Sequence, residues 1–131
     1  MKTYVICAGI VKFGEKILIL KRTPKKRFSP NEWEFVSGFI KEHENAEDCV
    51  LREVKEETSL KGRIIKSGQV FETQDKYGRW IILPFLIAVK SDKIKMDIKE
   101  HSEYKWINSN EIDNFKTVAD LKKDLKIIGL L

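Results

Sequence analysis

Residues 45 to 59 read as a helix of about three to four turns, and its apolar face carries acids. Asn45 offers an N-cap, with Asp48 three residues on and Glu47 near the positive helix end. The pattern runs out near Thr58-Ser59. With Glu53 set at zero and about 100° per residue, Ala46 falls at about 20°, Val50 at about 60° and Val54 at about 100°. Cys49 falls at about 320°, Glu57 at about 40° and Glu56 at about 300°. The carboxylates are therefore interleaved with the face that must turn to the protein. Glu47, Asp48, Lys55 and Thr58 take the opposite side.

Such a face needs a reason. Like charges one turn apart destabilise a helix by roughly 0.2–0.5 kcal/mol per pair. Partly burying an unpaired carboxylate costs several kcal/mol, more than surface pairing returns. A solvated charge cluster does not fit, because the polar face lies elsewhere. A cation reconciles the pattern, and Mg²⁺ combines a few carboxylates with waters and substrate phosphates. Arg52 offers a plainer account. It can neutralise the cluster, or pair with Glu56 at i,i+4 and hold it in place.

The rest of the chain predicts a mixed α/β domain over residues 1–131, without repeats or linkers. Thr3–Phe13 and Lys16–Leu20 read as a strand hairpin through Gly14-Glu15. Pro24–Asn31 reads as a loop, and Trp33–Ile40 as an extended segment broken at Gly38. Gly62–Thr73 and Arg79–Val89 read as long strands around "QDKYG", with Pro84 marking a bulge or an edge. Tyr104–Ile107 reads as a short strand. Asn108 with Glu111 resembles a capping box, and Thr117 with Asp120 starts a last helix. Its stripe of Val118, Leu121, Leu125 and Ile128 reads as core.

The longest apolar run, Trp80 to Val89, has strand length and falls short of a membrane span of about 18 residues. The N-terminus lacks a small-residue cleavage site and runs straight into strand patterning. Cys7 and Cys49 read as reduced core thiols, so a cytoplasmic location is expected. Lys and Arg number 25 against 20 Asp and Glu, a balance that suits phosphate-bearing partners. The densest basic run is "KRTPKKR", Lys21 to Arg27, readable as a solvated loop or a phosphate-facing one. Zinc-finger and Walker-loop spacings are absent, so neither nucleic acid nor a membrane is expected as partner.

The spacing around the helix is specific. Gly38 is followed after five residues by Glu44, and after seven more by Arg52-Glu53-Val54-Lys55-Glu56-Glu57-Thr58-Ser59-Leu60. This resembles the box of the Nudix hydrolase family, with eight of nine defined positions matching. The segment "NEWEFVSG" sits where MutT-like members carry a Trp and then Pro-Gly-Gly. "EHSEYKWI" resembles the family's later Glu-bearing loop and Trp strand. Two departures stand out. Ser59 replaces the last Gly of the box, where a left-handed residue costs about 1 kcal/mol. Val36-Ser37 replaces Pro-Gly.

The resemblance implies a Nudix fold, a mixed β-sheet sandwiched between α-helices. It implies Mg²⁺- or Mn²⁺-dependent attack of water on a nucleoside diphosphate linked to another group. A MutT-like nucleoside triphosphate pyrophosphohydrolase leads. ADP-ribose, sugar nucleotides or dinucleoside polyphosphates are alternative substrates, and a non-catalytic nucleotide-binding module is a further alternative. The implied metal ligands are Glu56, Glu57, Glu53 as ligand or water-orienting base, and the Ser37 carbonyl. Glu44 braces Arg52 or the loop, and Gly38 is structural. Glu100, ahead of Glu103, is expected to complete the site from a facing loop. Lys21, Arg22 and Arg27 are candidates for phosphates. Phe28, Phe71, Tyr77, Trp80 and Phe85 are candidates for stacking on a base. Trp33 is expected in the core, and His43 and His101 at the surface. The oligomeric state stays open, with a homodimer among the options.

Overall fold

A computed structural model describes residues 1–131. The elements are β1 (Thr3–Phe13), β2 (Lys16–Arg22), β3 (Trp33–Glu34), β4 (Val36–Phe39), α1 (Ala46–Thr58), β5 (Arg63–Ser67), β6 (Phe71–Asp75), β7 (Gly78–Ala88), β8 (His101–Ile107) and α2 (Leu121–Ile128). A 3₁₀ turn at Ser109–Asn114 precedes α2, closed by the expected Asn108–Glu111 capping box.

The strands form one mixed sheet in the order β3-β2-β1-β7-β5, with β4 on β1, β6 on β7 and β8 on β2. β1 and β7 run parallel over ten residue pairs, Thr3↔Arg79 to Lys12↔Ala88. The other edge of β1 is shared. β4 takes Ile6–Gly9 and the β2 hairpin takes Lys12-Phe13. β2 and β4 therefore occupy different stretches of the same β1 edge.

Alternation sorts the core, because successive strand residues point to opposite faces. Leu18, Leu20, Phe85 and Ile87 join Cys49, Val50 and Val54 of α1. Ile17, Ile19 and Leu86 join Leu121, Leu125 and Ile128 of α2. Each such buried side chain contributes about 1.5–3 kcal/mol. The sheet is thus sandwiched between α1 and α2, as the resemblance implied. Cys7 and Cys49 are buried and free, their sulfurs 2.7 Å apart. Trp33 lies in the core as expected. No helix is long and apolar enough to cross a membrane.

Several expectations need correction. Gly62–Thr73 is two strands, because β7 changes partner. β6 pairs with it to Ile82, and β5 joins at Phe85. Pro84 falls in that gap on an interior strand. Its carbonyl accepts from the Gly68 N–H at 2.8 Å, and no ladder bond is asked of its nitrogen. The break in residues 33–40 comes at Phe35, not Gly38. β8 begins at His101, three residues early. The last helix begins at Leu121, capped by a left-handed Asp120, so Val118 precedes it. Thr58 is fully buried, its hydroxyl donating to the Val54 carbonyl at 2.6 Å.

Candidate active site

α1 starts as its sequence dictates, with the Asn45 side chain accepting from the Asp48 N–H at 2.8 Å. It ends on Ser59 at φ 65°, the left-handed position where the box has Gly. The Ser59 hydroxyl donates to the Lys95 carbonyl at 3.0 Å, which offsets part of the strain. This departure stays away from the acids. Gly38 on β4 explains another box position. A Cβ there would overlap the Glu53 carboxyl, so only glycine lets that side chain lie against the strand.

Arg52 answers both sequence readings at once. It grips Glu44 through two nitrogens, at 2.7 and 3.0 Å. It also donates to Glu53 at 2.7 Å, to Glu56 at 3.2 Å and to the Phe39 carbonyl at 3.3 Å. Glu44 accepts further from the Lys41 N–H. The Arg52 hydrogen bonds, with that of Lys41, hold the Glu44 carboxyl at about 2. Arg52 and Glu44 thus form a clamp that sets the box loop on the helix and aims two of the acids.

The three inward acids differ in depth. Glu57 is 4% exposed, Glu53 is largely covered, and Glu56 stands at the rim with its side chain 51% exposed. Glu56 is therefore more exposed than its place on the helix arc suggested. The Glu57 Oε2 has no hydrogen-bond partner. Burial pushes its carboxyl well above the usual carboxylate range, and the charges of Glu34 and Glu53 add to that.

These acids line one wall of a cavity of about 490 Å³. Ser37, Gly38, Arg22, Arg27, Trp80 and Glu100 also line it. So do Lys26, Phe28, Phe39, Asp75 and Asp97. One sheet face supplies its aromatic floor, because Tyr4 pairs with Trp80 and Ile6 with Phe39 and Ile82. Tyr4 and Trp80 stack at 4.5 Å, and Phe28 meets Trp80 edge-on at 5.2 Å. Arg27 lies over the Phe28 ring at 4.9 Å. Lys26 pairs with Glu100.

Other sequence candidates fall elsewhere. Lys21 points away and pairs with Glu103 at 3.5 Å, on β8 rather than in a loop. Phe71 is buried beside Ile82 without lining the cavity, and Phe85 is core. Tyr77 backs Phe28 at 5.1 Å without lining the cavity. His43 is exposed, as expected. His101 is not: it is 1% exposed. Its Nε2 lies 2.7 Å from Glu34 and 3.6 Å from Glu57. Glu34, which sequence reasoning missed, is buried too. Burial alone would raise its carboxyl, but the His101 hydrogen bond and the Arg22 charge outweigh it and hold it below the usual range. Neither residue stands out locally, since 67 positions separate them and only strand pairing joins them.

The donor set suits a hard divalent cation. The oxygens of Glu53, Glu56 and Glu57 face one cavity, and the orphaned Glu57 oxygen is costly without a partner. Glu34, Glu57 and His101 also place ligand atoms within 4.8 Å of one another.

The family model for the NUDIX domain matches residues 3–126, and the chain belongs to the Nudix hydrolase family. An 8-oxo-dGTP diphosphatase of Buchnera aphidicola is 33% identical over 115 residues, covering 88% of this chain and 85% of that protein. A NAD-capped RNA hydrolase NudC of Vibrio vulnificus is 29% identical over 114 residues. That match takes in 86% of this chain, but the chain spans only 41% of the NudC protein. Among solved structures, a MutT Nudix hydrolase from Burkholderia pseudomallei superposes with TM-score 0.84 at 19% identity, covering 98% of this chain and 99% of that one. The MutT protein of Methanosarcina mazei gives 0.81 at 22% identity, covering 93% and 88%. These two likenesses carry the fold alone.

Proposed function

We propose that this chain hydrolyses a phosphoanhydride bond in a nucleoside triphosphate or a related nucleoside diphosphate derivative. The observation that carries the reading is one cavity with two chemistries. Glu53, Glu56 and Glu57 offer carboxylate oxygens on one wall, while Arg22, Lys26 and Arg27 adjoin an aromatic floor of Phe28, Phe39 and Trp80. The first suits a cation on phosphates, and the second suits anionic oxygens and a stacked base.

Glu53, Glu56 and Glu57, with the Ser37 carbonyl, would hold Mg²⁺ or Mn²⁺, which when bound neutralises charge developing on the phosphoryl oxygens. Glu44 and Arg52 keep Glu53 and Glu56 aimed. Glu100, from the facing segment, orients water and accepts its proton as the oxygen attacks phosphorus and the bridging P–O bond breaks. Its partner Lys26 carries a charge that phosphate can take up. The aromatic floor fixes the other end of the substrate, so the anhydride is held rather than encountered. The 8-oxo-dGTP diphosphatase relative, matched over most of its length, supports a nucleoside triphosphate. The NudC relative favours a second reading, a dinucleotide anhydride, since the cavity accepts a stacked group beside its phosphate end.

The test is a panel of nucleoside triphosphates, nucleotide sugars, dinucleoside polyphosphates, NAD⁺ and NAD-capped RNA, each with Mg²⁺ and Mn²⁺, with products identified. Release of pyrophosphate and a nucleoside monophosphate supports the leading reading. Turnover confined to NAD⁺ or capped RNA supports the second. Tight binding without turnover makes the chain a nucleotide-binding module and defeats both.

A further inference from the structure

Two buried residues, Glu34 in the cavity wall and His101 behind it, have no part in the proposed chemistry. The His101 Nε2 bonds Glu34 Oε2 at 2.7 Å, and Glu34 Oε1 accepts from Arg22 at 2.8 Å and from the Ser37 hydroxyl at 3.2 Å. Arg22 in turn donates through Nε to the Phe28 carbonyl at 2.8 Å. The same His101 nitrogen also lies 3.6 Å from Glu57 Oε1. One imidazole nitrogen thus meets two buried carboxylates whose oxygens lie within 4.8 Å of each other.

The arrangement is expensive for the fold. The His101 Nδ1 is buried with no partner, and an unsatisfied buried polar group costs about 1–3 kcal/mol. An apolar side chain of similar size would avoid that cost. Packing therefore does not explain the choice of imidazole, whereas its contacts do. They reach both working ends of the cavity. Glu57 is the deepest acid on the cation side, and Arg22 with Phe28 belongs to the phosphate and base side. Strand register brings these parts together, since β2 sets Arg22 opposite His101.

Resting on the hydrolase reading above, we propose that His101 and Glu34 are positioning residues that hold Glu57 at the cation end and Arg22 with the Phe28 loop at the substrate end. His101 sets its Nε2 toward Glu57 Oε1 and so holds that oxygen beside Glu34, leaving Oε2 for the cavity. Glu34 fixes the Arg22 guanidinium by a charge-assisted bond, so its remaining N–H groups meet phosphate already oriented. The two residues then act on different kinetic constants.

The test uses His101→Leu, His101→Gln and Glu34→Gln in the full chain. Each is read by kcat, KM and Mn²⁺ affinity of the substrate-free protein by electron spin resonance. Outer-shell partners of metal ligands change affinity or rate by about 10–100-fold. His101→Leu should therefore weaken Mn²⁺ binding about tenfold or more and lower kcat, with KM little moved. His101→Gln places an amide N–H near the lost Nε2 and should recover most of both losses. Glu34→Gln should chiefly raise KM, since Arg22 loses its anchoring charge. Equal losses in His101→Leu and His101→Gln would overturn the proposal, leaving ring shape as the requirement. So would kcat, KM and Mn²⁺ affinity within about threefold of wild type in all three variants, the scatter of a substitution that only packs. Should the unaltered protein hydrolyse no nucleotide, the hydrolase reading fails by itself. The Mn²⁺ titration then still decides the brace at Glu57, and unchanged affinity in His101→Leu overturns it.

Discussion

Two buried carboxylates lie on opposite sides of the sheet, Glu57 on α1 and Asp124 on α2. Each is 4% exposed, and each has one oxygen without a partner. Burial raises both, Asp124 to about 7 and Glu57 well above its usual range. Taken alone they would look like the same kind of residue. Their neighbours differ. Asp124 is flanked on α2 by Leu121, Leu125 and Ile128, and burial is the only cause of its shift. Glu57 borders a cavity, with Glu53, Glu34 and His101 around it. An orphaned buried acid is thus weak testimony to function. A second acid, a cavity and a cationic wall make it strong.

The sharpest way to break this comparison is to neutralise each acid in turn. Glu57→Gln should lower kcat by about 100- to 1,000-fold, the scale seen when one preorganised electrostatic group is removed. The fold should survive, because a like-charge contact is lost. Asp124→Asn should leave kcat near the unaltered value. Steady-state rates on the best substrate check both. A normal rate in Glu57→Gln would make the two acids equivalent and defeat the cation site.

Glu100 and Glu103 offer a smaller contrast on one strand entry. Glu100 lines the cavity and holds Lys26, whereas Glu103 pairs with Lys21 outside it. Glu100→Gln should lower kcat about a hundredfold, within the range of a positioned acid–base group. Glu103→Gln should change it little, and neither should alter the melting temperature much. The reverse result would place the facing acid three residues along.

Metal should separate the two buried acids without any substrate. A divalent ion at 100 times its Kd stabilises the folded chain by about 2.7 kcal/mol. The melting temperature should therefore rise with Mg²⁺ or Mn²⁺, and rise less in a Glu56→Gln, Glu57→Gln double variant. Asp124→Asn should keep the full rise. An equal rise in all three proteins would move the ion elsewhere.

What could be read from the chain follows from how far each signal reaches. Helix α1, its Asn45 cap, its acids and the glycine at 38 are written within 23 residues, so local periodicity and spacing suffice. The β1–β2 hairpin is equally local. The buried chain from Arg22 through Glu34 to His101 is not. Its members meet because β2 pairs with β3 on one edge and β8 on the other. Nothing in "NEWEFVSG" separates Glu34 from a surface acid. Nothing in "KEHSEY" shows that His101 is already strand. The division of Gly62–Thr73 into β5 and β6 was hidden likewise, since it depends on β7 changing partner at Pro84. Helix angle alone puts Thr58 on the polar side, yet its hydroxyl bonds its own helix end and can be buried at little cost.

The smallest effect concerns Asp124 and pH. Its folded value of about 7 exceeds the ordinary value of 3.8, so the native chain keeps a proton that the unfolded chain releases. Where the native state binds more protons, stability falls as pH rises. The loss should therefore develop between about pH 4 and 7 and stay constant above. Its ceiling is about 4 kcal/mol, from about 1.36 kcal/mol per unit of displacement. Asp124→Asn removes the charge but keeps a polar amide in an apolar place, so about 1–2 kcal/mol should return at pH 8. At this chain length that is a rise of roughly 3–10 °C in melting temperature. At pH 5 the carboxyl is already protonated when folded, so the difference should shrink. Thermal melts of both proteins at pH 5 and 8 measure it. Parallel curves would mean that Asp124 finds solvent or a partner in solution. A variant that gained stability at pH 8 and also lost turnover would show that α2 and the cavity are coupled through the sheet. The contrast between the two acids would then give way to one shared network.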